Sequence, residues 1–187
     1  MAKIESSLKN MILSLSLIGI IMTVLLAYVY TLTKEPIANS EKKKEIDAIK
    51  LVCPEFDNDP IASKQTIDGL DYFVLTKGTD TVGYAVKSFT DKGFSGVFTV
   101  MIGFYADGKL FDYSVLVHKE TPGLGTKMLE TKFKSQFKDL DLTDFNLKVK
   151  KDGGDVDAIT AATITSRGFC DALQKAKDGI AKNFIAK

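Results

Sequence analysis

The sequence predicts an α+β fold, in which a single N-terminal transmembrane helix precedes one domain with helices packed on an antiparallel sheet. Three observations predict it: an uncharged apolar block near the start, aromatic and β-branched runs punctuated by Gly and Asp in the middle, and apolar residues spaced three to four apart near the end. We expect three segments. They are a tail and anchor at 1–33, a juxtamembrane helix at 34–53, and the folded domain at 54–187.

Composition limits the function classes that the chain can belong to. The 187 residues contain 25 Lys and Arg against 24 Asp and Glu, a net charge of +1, so the sequence lacks the clustered basic surplus of a nucleic-acid-binding protein. Hydrophobic residues make up 45% of the chain, which is enough to bury a core and argues against disorder. We therefore expect a folded domain that does not bind nucleic acid.

The apolar block predicts a retained membrane anchor. No residue from Asn10 to Thr33 is charged, and at about 1.5 Å per residue such a helix can cross a hydrocarbon core of about 30 Å. Tyr28 and Tyr30 lie near its end, where aromatic rings favour the membrane interface. A signal peptide is the alternative, but its apolar region is shorter and a small-residue cleavage site follows it. Basic residues flank the block on both sides, so charge leaves the orientation open.

The elements behind the anchor follow from turn residues and periodicity. Pro36 suits the first turn of a helix that ends near Cys53-Pro54, and residues 54–63 form a loop. Asp107-Gly108 between two apolar runs indicates a hairpin, because glycine adopts positive φ without penalty. The predicted strands are 72–76, 82–89, 97–105, 110–118 and a short one at 147–150, and the predicted helices are 129–137 and 166–184.

The two cysteines and the single histidine predict no metal site. Cys53 and Cys170 lie far apart in the chain, and with one histidine they cannot supply the ligands of a zinc or iron–sulfur centre. Two buried thiols are the simplest interpretation. Whether the two cysteines pair stays open, because sequence does not give the distance between their Cα atoms.

Two segments have a composition that local structure does not explain, and the first is His118-Lys-Glu-Thr-Pro-Gly-Leu-Gly125. Pro122 fixes its own φ, and Gly123 and Gly125 permit tight turning, so backbone N–H groups can approach a ligand closely. Glu120 and Thr121 add an acceptor and a hydroxyl. An ordinary strand-to-helix connection is the alternative.

A second segment whose composition local structure does not explain is Asp157-Ala-Ile-Thr-Ala-Ala-Thr-Ile-Thr-Ser166. Hydroxyl residues alternate with small side chains and lead directly into the C-terminal helix. Free N–H groups and hydroxyls at a helix start suit a phosphate, because the positive end of the helix dipole favours an anion. A strand followed by a Ser or Thr helix cap is the alternative.

Together the two segments resemble an FMN-binding domain found in two membrane complexes. These are the Rnf ion-translocating ferredoxin:NAD⁺ oxidoreductase, in its G subunit, and the sodium-pumping NADH:quinone oxidoreductase, in its C subunit. The family motif H-x-E-T-P-G-L-G stands unaltered at His118–Gly125, and D-x-x-[ST]-G-A-T-x-[TS] stands at Asp157–Thr165. The chain departs at Ala161, where the family has glycine. If that position needs positive φ, alanine costs about 1 kcal/mol. The length is closer to that of the Rnf protein.

The resemblance implies a role for each matched residue. Thr163 is the position where the family joins the FMN phosphate as a phosphoester, made by a separate flavin transferase that uses FAD outside the cytoplasm. Asp157 belongs to the stretch that the transferase recognises. The other implied FMN contacts lie on both segments: Glu120, Thr121, Gly123, Leu124 and Gly125 on the first, and Thr160, Ala161, Ala162, Thr165 and Ser166 on the second.

The resemblance also implies a function and a location. It implies an electron-transfer subunit of the Rnf complex, an electron carrier whose partners are the other membrane, iron–sulfur and flavin subunits. It implies a single-pass protein of the bacterial inner membrane, with its N-terminus inside and its domain facing the periplasm or outside. The alternatives are the sodium-pumping complex, a stand-alone extracytosolic flavoprotein, and a membrane-tethered binding module without flavin.

Overall fold

The computed structural model describes residues 7–185 and divides the chain into two compact units, 1–43 and 44–187. The first six residues of the predicted tail and the last two of the chain lie outside the described residues. The boundary between the units falls inside the segment predicted as a juxtamembrane helix.

Helix α1 runs from Leu8 to Val52 and contains the predicted anchor. It is long and apolar enough to cross a membrane, and no residue in its most apolar stretch of 18 is buried against the rest of the protein. The prediction that Pro36 begins a separate helix differs from the structure, where Pro36 lies inside α1. A proline removes one backbone donor from a helix interior, and the helix-favouring residues on both sides keep the remaining hydrogen bonds in register.

Five antiparallel strands form one meandering sheet in the order β1-β2-β3-β4-β5. The four strands predicted in the middle of the chain are confirmed, each within a few residues of its predicted ends. Strand β1 was missed because it has only three residues, with two of them exposed. The strands are β1 Gln65–Ile67, β2 Leu70–Lys77, β3 Asp80–Thr90, β4 Phe98–Tyr105 and β5 Leu110–Val117.

The sheet is covered on both faces, because successive side chains of a strand point to opposite sides. One face, with Tyr72 and Ile102, packs on the C-terminal helix α3, which spans Thr163–Ile180. The other face, with Phe73 and Met101, packs on the last turns of α1. The second core is small and includes Ala48, Ile49 and Val52 of that helix.

The chain between the sheet and α3 is less regular than predicted. The helix expected at 129–137 consists of a 3-10 turn at Gly125–Leu129, a short α2 at Thr131–Lys134 and a 3-10 turn at Ser135–Phe137. The strand predicted at 147–150 is wrong: Val149 forms a single bridge with Val156, and a 3-10 turn follows it. The bridge is parallel, and the 3-10 turn at Lys150–Asp152 ends the extended conformation directly after Val149, so only one pair forms.

The two cysteines are free, and both are buried. Cys53 belongs to the core beside α1 and Cys170 to the core beneath α3, so the two thiols lie in different cores. Burial raises the pKa of both thiols, that of Cys170 to about 12. Both thiols are therefore protonated and unreactive at neutral pH.

Candidate functional site

The two motif segments meet at one cleft, which has a volume of about 280 Å³. One wall comes from the connection after β5, and the other from the start of α3 and the turn before it. A third contribution comes from the loop between β3 and β4. The lining residues are Phe94, Glu120, Thr121, Leu124, Gly125, Ala161, Ala162, Thr163, Ile164 and Thr165.

A tight turn precedes α3 and presents Thr163 to the cleft. The N–H of Ala162 donates to the carbonyl of Ile159 at 2.9 Å, closing a turn with Thr160 and Ala161 in its centre. Ala161 has φ of 61°, the left-handed value that this position of the turn requires. Glycine, which the family motif has at this position, adopts such a φ without strain, and this chain forms the turn with alanine.

The Ala161→Gly variant should be more stable than the wild type by about 1 kcal/mol, because alanine is strained at positive φ and glycine is not. Thermal unfolding of the detergent-solubilised protein measures the gain. Ala162→Gly is the matched control: Ala162 has φ of −133°, so this substitution relieves no strain. A gain at Ala162 equal to that at Ala161 would contradict the explanation.

Ser166 holds the same turn from inside the first turn of α3. Its hydroxyl accepts the N–H of Ile159 at 2.9 Å and donates to the carbonyl of Ala162 at 3.0 Å. The side chain is fully buried and does not line the cleft. Ser166 therefore positions the turn that leads to Thr163.

The Ser166→Ala variant should lose about 1–3 kcal/mol of stability, because it leaves a buried N–H without its acceptor. Denaturant unfolding of the solubilised protein checks this value. Ser135→Ala is the control, since the Ser135 hydroxyl is exposed and donates only to the carbonyl of Lys132. Equal losses for the two variants would show that Ser166 does not hold the turn.

Glu120 joins the two walls of the cleft. Its carboxylate accepts the hydroxyl of Thr165 at 2.9 Å and the backbone N–H of Ser95 at 3.3 Å. Glu120 is 5% exposed and Thr165 is 1% exposed. One side chain thus connects the first motif, the second motif and the β3–β4 loop.

The rest of the first motif is a compact turn. The N–H of Leu124 donates to the carbonyl of Thr121 at 3.2 Å, and the N–H of Gly123 donates to the hydroxyl of Thr126 at 2.9 Å. Gly123 has positive φ, which explains the glycine, but it does not line the cleft. Leu124 lies at the cleft and is 40% exposed.

Thr163 is the first residue of α3 and is half-buried in the cleft wall. No side chain caps this helix end, so the first-turn N–H groups keep their capacity to bind an acceptor. A hydroxyl and a positive helix terminus meet here, which favours an anion such as a phosphate.

Two residues that line the cleft were not predicted from the sequence, and both are apolar. Phe94 lies between Gly93 and Gly96 in the β3–β4 loop and is 66% exposed, and Ile164 is half-exposed on α3. An aromatic residue between glycines in a loop was the signal that could have identified Phe94. With Leu124 these side chains give the cleft mostly apolar walls.

Asp157 and Thr160 line a neighbouring cavity of about 510 Å³ rather than the cleft itself. The backbone of Asp157 is held by Gln136, whose side chain accepts its N–H at 2.7 Å and donates to its carbonyl at 3.2 Å. The exposed Asp157 carboxylate pairs with Lys150 at 2.8 Å. This aspartate is therefore available at the surface beside the turn.

A half-buried carboxylate, that of Asp171, fixes the start of the Phe94 loop to α3. Asp171 accepts the hydroxyl of Thr90 at 2.9 Å and pairs with Lys92 and Lys175. Burial alone raises the pKa of Asp171, but the hydrogen bonds from Lys175, Lys92 and Thr90 outweigh it and hold the pKa below its usual value. The loop that carries Phe94 is thus fastened at its start.

Comparison with known protein families agrees with this geometry. The model of the FMN-binding domain matches residues 93–178, a range that contains the whole cleft. The G subunit of an ion-translocating oxidoreductase complex from Methanosarcina acetivorans is 32% identical over 93% of this chain and 95% of its own length. The chain belongs to this G-subunit family. Its members are redox subunits of ion-translocating oxidoreductase complexes.

Other relatives in this G-subunit family extend the similarity. The G subunit of the proton-translocating ferredoxin:NAD⁺ oxidoreductase complex of Clostridium ljungdahlii is 28% identical, covering 92% of this chain and 89% of its own. The Vibrio parahaemolyticus relative is 30% identical, covering 87% and 84%. The solved structure of the C subunit of a Na⁺-translocating NADH-quinone reductase from Parabacteroides distasonis has a TM-score of 0.41 to this chain and 21% sequence identity. The match covers 69% of this chain and 70% of the length of that subunit.

The residues of the cleft fit an FMN. Exposed Phe94, Leu124 and Ile164 supply apolar surface for a flat ring, which water would otherwise cover. The uncapped start of α3 supplies donors for a phosphate, and the Thr163 hydroxyl lies beside them. The cleft therefore offers both kinds of surface that the two ends of this cofactor require.

Proposed function

We propose that this chain is the electron-transfer subunit of a membrane-bound, ion-translocating ferredoxin:NAD⁺ oxidoreductase and that it holds FMN covalently through Thr163. One observation carries the proposal: the Thr163 hydroxyl lies in an apolar cleft at the uncapped N-terminus of an 18-residue helix. The flavin supplies the redox chemistry, and the protein supplies position and electrostatics.

Two regions of the cleft hold the two ends of the cofactor. The first-turn N–H groups of α3, with Ala161 and Ala162 beside them, hold the phosphate, because small side chains let the backbone approach it. Phe94 and Leu124 hold the ring. Glu120, Thr121, Gly125 and Thr165 complete the wall between these regions, whereas Ser166 supports the turn.

The covalent link forms by transfer from FAD. The Thr163 oxygen bonds to the phosphorus on the FMN side, the pyrophosphate bond breaks, AMP leaves and the hydroxyl proton is released. A flavin transferase catalyses this step and recognises Asp157, which is exposed next to the turn. A covalent link suits an electron carrier, since the cofactor cannot dissociate between its donor and its acceptor.

The transfer reaction sets the topology that we propose. The transferase acts outside the cytoplasm, so α1 crosses the inner membrane with its N-terminus inside. Residues 1–33 then form the tail and anchor, 34–53 the juxtamembrane segment and 54–187 the external flavin domain. The one helix of the described residues that is long and apolar enough to span a membrane supports this arrangement. The partners are the other membrane, iron–sulfur and flavin subunits of the complex.

Mass spectrometry of the full-length protein, co-expressed with a flavin transferase, tests the proposal. We expect a mass gain of one FMN minus one water on the peptide that contains Thr163. An unmodified peptide, with the transferase active on a known substrate, would contradict the proposal and would favour a membrane-tethered binding module without flavin.

A further inference from the structure

The carboxylate of Glu120 is the one ionisable side chain among the residues that line the cleft. It is buried, and its hydrogen-bond partners are the Thr165 hydroxyl and the Ser95 N–H, neither of which carries a charge. No lysine, arginine or histidine in residues 7–185 forms an ion pair with it. The side chains of the cleft wall therefore supply one negative charge and no compensating positive one.

Two glycines make room for this carboxylate. A Cβ on Gly125 would lie 2.4 Å from one carboxylate oxygen of Glu120, and a Cβ on Gly93 would lie 2.8 Å from the other. Contacts this short do not occur between real side chains, so both neighbours must be glycine for Glu120 to keep its position. The carboxylate is held by the fold and does not swing into solvent.

We propose that Glu120 lowers the reduction potential of the flavin in this cleft. The inference rests on the function proposed above. A fixed negative charge in a site of low dielectric opposes the gain of further negative charge nearby, and little solvent is present to screen it. The N-terminus of α3 belongs to the same wall, since Thr165 lies in its first turn, and its N–H groups offset the charge of a phosphate on Thr163.

The Glu120→Gln variant separates charge from shape. Glutamine has nearly the same size, its carbonyl can accept the Ser95 N–H, and its amide can donate to the Thr165 hydroxyl, which then acts as acceptor. The contacts of the cleft wall are thus retained while the charge is lost. A merely structural role would leave the potential of such a variant unchanged.

The experiment compares midpoint potentials by spectroelectrochemical titration of the full-length, detergent-solubilised and flavin-loaded proteins. We expect the midpoint potential of Glu120→Gln to be more positive than that of the wild type by at least about 30 mV. For a two-electron couple this shift is a tenfold change in the redox equilibrium constant. Glu55→Gln is the matched control, because the Glu55 side chain is 92% exposed and solvent screens its charge. We expect no shift for this control.

The possible outcomes are distinguishable. A wild-type protein without FMN would refute the proposed function. A loaded wild type whose potential equals that of Glu120→Gln would overturn the present inference and leave the proposed function intact. If Glu120→Gln alone failed to acquire FMN while Glu55→Gln was loaded, the inference would also be overturned, because Glu120 would then determine loading rather than potential.

Discussion

The Thr163→Ala variant is expected to fold normally and to carry no covalent flavin. Thr163 is half-buried at the start of α3, and its hydroxyl makes no hydrogen bond to the rest of the described protein. Its removal should therefore cost little stability. It removes the oxygen through which the phosphoester forms, so the loss of covalent FMN should be complete. Flavin fluorescence of the denatured protein in a gel measures this loss.

Thr163→Ser and Thr79→Ala are the controls for this prediction. Serine keeps the hydroxyl and should retain covalent flavin, at a level that depends on how the transferase accepts it. Thr79 lies exposed in the turn between β2 and β3, so Thr79→Ala should be modified as fully as the wild type. Retention of fluorescence by Thr163→Ala through denaturation would mean that another residue carries the flavin.

The Gly103→Ala variant is expected to be the most destabilised of those considered. A Cβ at this position would lie 1.6 Å from the carbonyl oxygen of Val52 and 2.8 Å from the sulfur of Cys53. The nearest atom belongs to the backbone of a buried helix end, so no side-chain rotation can relieve the clash. The last turn of α1 must move away from the sheet, at a cost of about 3 kcal/mol or more.

Thermal unfolding of the solubilised protein checks this prediction. A loss of about 3 kcal/mol corresponds to a melting temperature lower by about 6–12 °C for a domain of this size. Gly19→Ala is the matched control, because a Cβ at Gly19 in α1 meets no atom within 4 Å. If the two variants melted at the same temperature, close packing of α1 on Gly103 could not be a major source of stability.

Local patterns in the sequence were sufficient to predict most of the regular elements. The aromatic and β-branched runs of β2 to β5, the Asp107-Gly108 turn and the apolar spacing of α3 each reflect preferences of residues near in the chain. The same holds for the uncharged block of α1. The failures are also local in origin: β1 is too short to show a pattern, and the segment predicted as a strand at 147–150 forms one bridge before the 3-10 turn at Lys150–Asp152.

The site was only partly predictable from the two motifs. Their residues identified Thr163 and Leu124 as neighbours of one ligand, and the structure brings both to a single cleft. The sequence did not identify Phe94 as a cleft residue because it lies 24 residues before the first motif, and only the pairing of β4 with both β3 and β5 brings its loop to that motif. Ser166 was expected to contact the cofactor, whereas its hydroxyl is used within the turn.

By itself, the sequence determined the α+β class, the apolar anchor segment, and the two segments that form the cleft. These depend on side-chain polarity and on backbone preferences, which act over a few residues. Only the tertiary structure shows that Glu120 accepts a hydrogen bond from Thr165, 45 residues away, and that the end of α1 packs against Gly103. Such contacts depend on which elements pack together, and no local preference of either residue specifies its partner.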